Sequence, residues 1–491
     1  MKTPSVRFIA IDRQQCVLRP LDVEALIGDD HVARTLWKFL GTVDLSAFTV
    51  EPKAVEGHAG RPGWEPRLLI AVWLYGLTRG VSSARELARE TAYEPGLQWL
   101  TGLQEINHHS LSDLRVHHGA ALDELFAQVL GVLHRHELIT LERVTQDGTK
   151  VRADVDKSTV GRRDVLEKHL ELARQHVAEM NQQAAEQEQV TQRQKAARQR
   201  AGREREQKLQ EALDTIDRLQ KARTQDKSKP CQASPTDPDA QFMRTGDHGL
   251  APCHNVQLSC DAAHKVIVSV AITSDPSDAH QLTPALDRIE NQFARLPQQM
   301  IADGDYTNRK NIIRAAERGV DFYGSWGALA QAPPARGIAE EYRNQAFRYD
   351  AERHVMICPQ GQPLHHKSTS AMAGNAREEL FVAPRAACQA CPARGQCTPQ
   401  NQIQRHGRAV RRLLEDPSVV QFHAKMATPE AKAIYKQRSP VAEFPHAWLK
   451  NKLGLTRFRT RGCLRVKCEA VLAALTYNLQ QLFRLRPMAV V

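Results

Sequence analysis

The chain has 491 residues, room for two to four domains and a large buried core. Its 67 lysines and arginines against 56 acids give a net charge of +11, an excess that points to a polyanionic partner. The longest apolar run, "LLIAVWLYGL" (68–77), falls short of the ~20 residues a bilayer span needs, so no membrane partner is expected. The amino terminus shows no charged segment followed by a long apolar stretch, so a secretory leader is not expected either. A cytoplasmic protein with reduced cysteines is the expectation.

Residues 1–138 are predicted to be all-α. "EPRLLIAVWLYGLTRG" (65–80) spaces its apolar residues at helical intervals and stops at Gly80. Ser83 and Glu86 form a capping-box pattern ahead of "SARELARETA", and Ser110 with Asp113 repeats the signal ahead of "LSDLRVHHGAALDELFAQVLGVLHRH". Helices joined by short turns suit a helix-turn-helix-like DNA-binding domain, and equally an ordinary helical bundle.

"ELITLERVTQ" (137–146) reads as a strand ending at Asp147. The following "DGTK" has two readings: an Asp-Gly turn between short strands, or a carboxylate aimed at a metal. Residues 161–226 are rich in Glu, Gln, Arg, Lys and Ala, with Leu209, Leu213, Ile216 and Leu219 as a seam. They predict a helical hairpin or antiparallel coiled coil without chemistry of its own. Strands are predicted at 254–262 and 264–273, a helix at 280–296, a strand at 299–306, the helix "TNRKNIIRAAERG" and the strand "DFYGSW". Three strands, helix, strand, helix, strand make an α/β unit, a mixed sheet with flanking helices.

Chemistry in such sheets gathers at strand ends. Asp147 and Asp303 (in "IADGDY") both follow apolar strand residues, which would bring them to neighbouring strand edges. A third acid stands in "YKQRSPVAEFPHAWLKNKLG". Between Lys432 and Lys467 there are ten lysines and arginines, and Glu443 is the sole acid. So basic a stretch suits phosphate backbones, which a bare carboxylate would repel. A divalent cation bridging carboxylate and phosphate oxygens removes the contradiction, and an ion pair with Arg438 or Lys450 is the alternative.

The order Asp147, Asp303, Glu443 on this strand pattern resembles the DDE transposases of bacterial insertion sequences. The last stretch is similar to the Tyr-Arg-Glu-Lys signature of one branch, at Tyr435, Arg438, Glu443 and Lys450. Four residues separate Arg438 from Glu443 where that signature has three. "GRPGWEPRLLIAVWLYGLTRGVSSARELARE", "DGTKVRADV" and "LTYNLQQL" are also similar to blocks of that branch, and the helical insertion and cysteines resemble its insertion sequence 1182 subgroup. The resemblance implies an RNase H-like core and two Mg²⁺ (or Mn²⁺) ions held by Asp147, Asp303 and Glu443. It further implies phosphate binding by Tyr435, Arg438 and Lys450. Partners would be double-stranded DNA, as terminal inverted repeats and target, and a second copy of the chain in the synaptic complex. The branch usually has Gly where Asp305 stands, so Asp305 competes with Asp303 as the ligand; Asp303, directly after the strand, is preferred.

Cys358, Cys388, Cys391 and Cys397 combine a Cys-x2-Cys pair with a near third and a distant fourth cysteine, a spacing suited to structural Zn²⁺ in a small loop-rich knuckle. His354, His365 or His366 could replace one thiolate. The expected organisation is therefore an N-terminal DNA-binding domain (1–138), a catalytic core in two pieces (139–160 and 227–335) interrupted by the helical insertion (161–226), a cysteine-bearing insertion (336–425) and a C-terminal helical region completing the core (426–491). The expected function is Mg-dependent cleavage and strand transfer at the ends of an insertion sequence. The alternatives are a non-catalytic DNA-binding regulator and an RNase H-like nuclease without strand transfer.

Overall fold

A computed structural model of the chain describes residues 14, 16, 20–49, 63–186, 192–222, 230–246, 249–326, 337–372, 375–398 and 407–487. Residues 1–13, read above for a leader, and residues 187–191 and 223–226 of the predicted hairpin lie outside these.

Among the described residues six α-helices come first: α1 (Val32–Leu40), α2 (Pro66–Thr78), α3 (Ala84–Glu90), α4 (Pro95–Thr101), α5 (His108–His117) and α6 (Gly119–Arg135). Proline at the first helical position opens α2 without losing a hydrogen bond. The Ser83 hydroxyl caps α3 by accepting the Glu86 N–H at 3.4 Å. The single helix predicted from Leu111 is instead two, broken at His118 ahead of Gly119, a poor helix former. Its cap is Asn107, not Ser110.

The main sheet contains β1 (Arg143–Arg152) and, after an excursion, β4 (Gln241–Arg244), β5 (Leu250–Asp261), β6 (Ile267–Thr273), β7 (Gln299–Ala302) and β8 (Asp321–Gly324). The excursion consists of β2 (Gly161–Arg162), α7 (Arg163–Glu186), α8 (Gln192–Ala222) and β3 (Gln232–Ala233). Strand order is β4-β5-β1-β7-β8, with β6 also on β5. β1 runs antiparallel to β5 and parallel to β7, and β7 runs parallel to β8. Helices α9 (Leu282–Phe293) and α10 (Arg309–Glu317) make the crossovers between the parallel strands and their predecessors. The Asp-Gly turn is not formed: Asp147 and Gly148 stay in β1, opposite Leu258 and Gln257. The twelve residues of β5 hold β1 extended through Arg152, and a Cβ on Gly148 would lie 2.5 Å from Gln257 Nε2 and 2.6 Å from Asp278 Oδ1. Here glycine serves close approach, not a turn.

α7 and α8 are antiparallel, with Arg174 Nε bonding Glu206 at 2.9 Å, and bury Leu166, Leu170, Leu209, Leu213 and Ile216 between them. β2 pairs with β3 at their base. A second, antiparallel sheet follows: β9 (Arg348–Asp350), β10 (Val355–Ile357), β11 (Pro363–Ala371), β12 (Arg377–Val382) and β13 (Ala409–Leu414), with short helices α11 (Arg385–Gln389) and α12 (Arg394–Cys397). The expectation of a loop-rich knuckle without its own core is corrected here, since Phe347, Met356, Leu364, Phe381, Ala383 and Val410 form one.

The chain closes with α13 (Pro417–Ala427), α14 (Pro429–Lys436), α15 (Arg438–Asn451) and α16 (Cys463–Leu485). α15 lies against β1 and β5, while α16 packs on β6, α6 and α2 and joins the helical region to the sheet in one core. Asn478 of α16 accepts the Ile267 N–H and donates to the Ile267 carbonyl, satisfying the outer edge of β6 in place of another strand.

Candidate active site

Four pairs in parallel register, from Arg143↔Gln299 to Gln146↔Ala302, end where the next step would set Asp147 beside Asp303. β7 stops there because Asp303 turns the chain, its Oδ1 accepting the Asp305 N–H at 3.0 Å to cap the turn Gly304–Tyr306. Asp305 is exposed and Asp303 half-buried, so the latter is the acid facing the sheet edge.

A ladder of buried polar side chains supports this edge. Ser259 donates to Gln146 Oε1 (2.6 Å), and Gln146 donates to Gln257 Oε1 (2.7 Å), which also receives the Tyr306 hydroxyl. Gln257 and Asn255 both donate to Asp278 Oδ1 at 2.6 Å, and Lys150 Nζ binds Asp278 at 2.9 Å. Every member has a partner, so the ladder holds the middle of β1 and β5, where Asp147 stands, and ties it to the turn after β7.

α15 covers the same edge. Arg438 Nη1 lies 3.6 Å and His446 Nε2 3.8 Å from Asp147 Oδ2, and Lys450 Nζ donates to the Lys150 carbonyl at 3.3 Å. Glu443 sits on this helix but points its exposed carboxylate toward the Ser439 hydroxyl, at 2.6 Å. Tyr435, on α14, packs beside Ile301, Tyr323 and Ala431. The structure thus groups Asp147, Asp303, Arg438 and Lys450. Glu443 is on the covering helix, with its carboxylate engaged locally, and Tyr435 is under the neighbouring strands.

Burial and neighbouring acids set the electrostatics of this edge. Burial, reinforced by the charges of Asp303 and Asp278, pushes the Asp147 carboxyl up to about 6, despite Arg438 and the Gly148 N–H. Burial and the Asp305 charge also raise Asp303. Two crowded carboxylates that cannot both ionise cheaply bind a divalent ion well, because it removes the mutual repulsion. His446 is pushed down to about 3 by burial and by Lys450, so its ring is neutral, and neither ring nitrogen has a hydrogen-bond partner. A neutral imidazole offers one ring nitrogen with a free lone pair, which beside an aspartate could serve a cation.

The sequence reading missed His446, Asp278 and the ladder. A usable signal was present: Asn255, Gln257 and Ser259 alternate with apolar residues along β5, and all three are buried. His446 is three positions beyond Glu443 on one helix, within the reach of a shared face.

The four cysteines line one enclosed cavity with Tyr342, Leu364 and Arg408. Cys358 Sγ accepts the Gln362 N–H and Cys388 Sγ the Arg408 N–H, both at 3.3 Å, but among the described residues no three of the four sulfurs come within 4.8 Å of one another. Of the histidines considered as substitutes, none lines this cavity.

Residues 357–483 match a family model described as "Transposase DDE domain", and residues 21–117 match one described as "Transposase domain (DUF772)". The first covers the cysteines and Tyr435 to Lys450; Asp147 and Asp303 lie before it. No curated protein matches the chain. Among the described residues no helix is long and apolar enough to cross a membrane. Covering the amino-terminal helices and the carboxy-terminal elements separately, the two matches support a DDE transposase.

Proposed function

We propose that the protein is an insertion-sequence transposase that binds terminal inverted repeats and performs metal-dependent cleavage and strand transfer at Asp147, Asp303 and Glu443. The observation that carries this is Asp147 on β1 next to the end of the parallel strand β7, which Asp303 directly follows, beneath a helix bearing Arg438, Glu443 and Lys450. The strand order, with an antiparallel β6-β5-β1 followed by parallel β7 and β8, supports an RNase H-like core. The alternation of helices and sheet supports the proposed division into an N-terminal DNA-binding region, a core in two pieces and two insertions.

Asp147 and Asp303 would hold Mg²⁺ or Mn²⁺, with Glu443 joining by release from Ser439. When bound, such ions activate a water or 3′-hydroxyl for attack on phosphorus and stabilise the leaving oxygen. Arg438 suits bidentate contact with the phosphate, Lys450 adds a point charge, and Tyr435 completes the signature. In the resting protein Arg438 lies against Asp147, a place-holding cation that DNA and metal would displace. Cys358, Cys388, Cys391 and Cys397 would hold a structural Zn²⁺, and a homodimer would bring two DNA ends together.

Asp147→Asn, Asp303→Asn and Glu443→Gln are each expected to abolish Mg²⁺-dependent cleavage of inverted-repeat DNA while leaving binding in a mobility-shift assay. Retained cleavage in any one removes that residue from the site. Precleaved ends mixed with target plasmid distinguish a transposase, which joins them, from a nuclease, which does not.

A further inference from the structure

The second sheet carries a group of side chains that the chemistry above does not use. His354 lies in the turn between β9 and β10, His366 on β11, and Glu379 on β12, two pairs along from Phe381, which faces His366. One ligand atom from each lies within 4.8 Å of the other two. Both imidazoles rest on the buried Phe381 ring, centroids 5.6 Å away, and their own centroids are 5.0 Å apart.

Each side chain commits one polar atom to a neighbour and leaves another free. His354 Nδ1 is tied to the Tyr349 hydroxyl at 2.8 Å, and its Nε2 faces Glu379 Oε1 at 4.0 Å. His366 Nε2 bonds the Thr369 hydroxyl at 2.8 Å, which leaves Nδ1. Glu379 Oε2 accepts from Arg412 at 3.0 Å, and the Arg412 guanidinium lies over the Tyr349 ring, 3.5 Å from its centroid. This is how the outer neighbours of metal ligands fix ring orientation and tautomer. The 4.0 Å gap between His354 and Glu379 is too long for a hydrogen bond, yet an ion ~2.1 Å from each atom would fit between them. His354 is also held at φ +51°, a left-handed conformation uncommon for a side chain of its size.

We propose that His354, His366 and Glu379 form a second metal site, independent of the cysteine cavity, that takes one divalent transition ion such as Zn²⁺, Co²⁺ or Ni²⁺. Two imidazoles and one carboxylate select ions of this class over Mg²⁺, which prefers oxygen ligands and water. Side-chain rotation closes the set from 4.8 Å to the ~3.4 Å separation that ~2.1 Å bonds at tetrahedral angles require. The ion would pin the β9–β10 turn across β11 to β12, with coordination positions left to solvent.

The test is titration of the purified full-length protein with Co²⁺, followed by absorption and by equilibrium dialysis. His354→Ala/His366→Ala is expected to bind one equivalent fewer than wild type, with any near-ultraviolet thiolate-to-cobalt band unchanged. Glu379→Gln should weaken that same equivalent at least tenfold. Cys391→Ser should alter the thiolate band and leave the histidine-dependent equivalent in place. Equal stoichiometry in wild type and the double-histidine variant overturns the proposal. So does loss of the histidine-dependent equivalent in Cys391→Ser, which would make the two sites one. Circular dichroism matching wild type identifies the folded variants for comparison. No DNA enters the measurement, so its failure is separate from failure of the transposase reading.

Discussion

Asp147→Asn is expected to stabilise the magnesium-free protein while destroying its proposed activity. Burial and neighbouring acids raise the carboxyl from an ordinary 3.8 to about 6. Below about pH 4 the group is protonated in folded and unfolded chains alike and contributes nothing. Between about 4 and 6 the folded protein keeps a proton that the unfolded chain releases, so stability falls as pH rises. Above about 6 the whole penalty is in force, about 2–3 kcal/mol at ~1.4 kcal/mol per unit for a side chain that is 16% exposed. Asparagine keeps the shape and can still accept the Gly148 N–H, but has no charge to desolvate. Urea denaturation in magnesium-free buffer should show the variant more stable than wild type at pH 7.5 and the gap closing toward pH 4.5. Added Mg²⁺ should raise wild type and leave the variant unmoved, since only a ligand that binds the folded state stabilises it. A variant weaker than wild type at pH 7.5, or a gap indifferent to pH, would refute the account of Asp147 as a buried, crowded acid that Arg438 only partly offsets.

Asp278→Asn removes a negative neighbour of Asp147 and the partner of Lys150. It should shift the pH-dependent fall in stability to lower pH in the same denaturation series and cost about 1–3 kcal/mol, since the half-buried Lys150 loses its charged partner. Asn478→Leu leaves the Ile267 N–H and carbonyl without partners, and its urea midpoint should report a loss of about 1–3 kcal/mol. Stripping zinc with a strong chelator is expected to open the β9–β13 sheet to trypsin while leaving the β1–β8 sheet protected; resistance throughout would argue against a structural ion.

The strands and crossover helices of the main sheet were legible because their apolar periods are strong and their breakers well placed. Where the sequence misled, a distant partner had overruled local chemistry. "DG" is a turn signal in a short hairpin, but β5 comes from a hundred residues further on and holds Asp147 and Gly148 extended. The second sheet was hidden for a related reason: its strands bury few side chains, β11 only Leu364, and gather only a small core, a weak signal beside the conspicuous cysteines. Asp303 could be placed because a strand end is a local feature; Asp147 was expected at one too, but stands within β1, beside Asp303 because β7 stops one pair earlier. Which side chains of α15 face Asp147 could not, because Arg438, Glu443, His446 and Lys450 are within one helix and only its rotation against β1 separates them.

The base of the α7–α8 hairpin has a consequence for how this chain can change over generations. Gly161 stands opposite Ala233 and Arg162 opposite Gln232, so the strands leading into and out of the excursion are already neighbours across a single ladder rung. Closing that gap with a few glycines requires little extension of the backbone and disturbs no strand of the main sheet. Arms of other lengths could be spliced on at the same seam, so reach and grip can evolve there while the acids beneath α15 stay where they are.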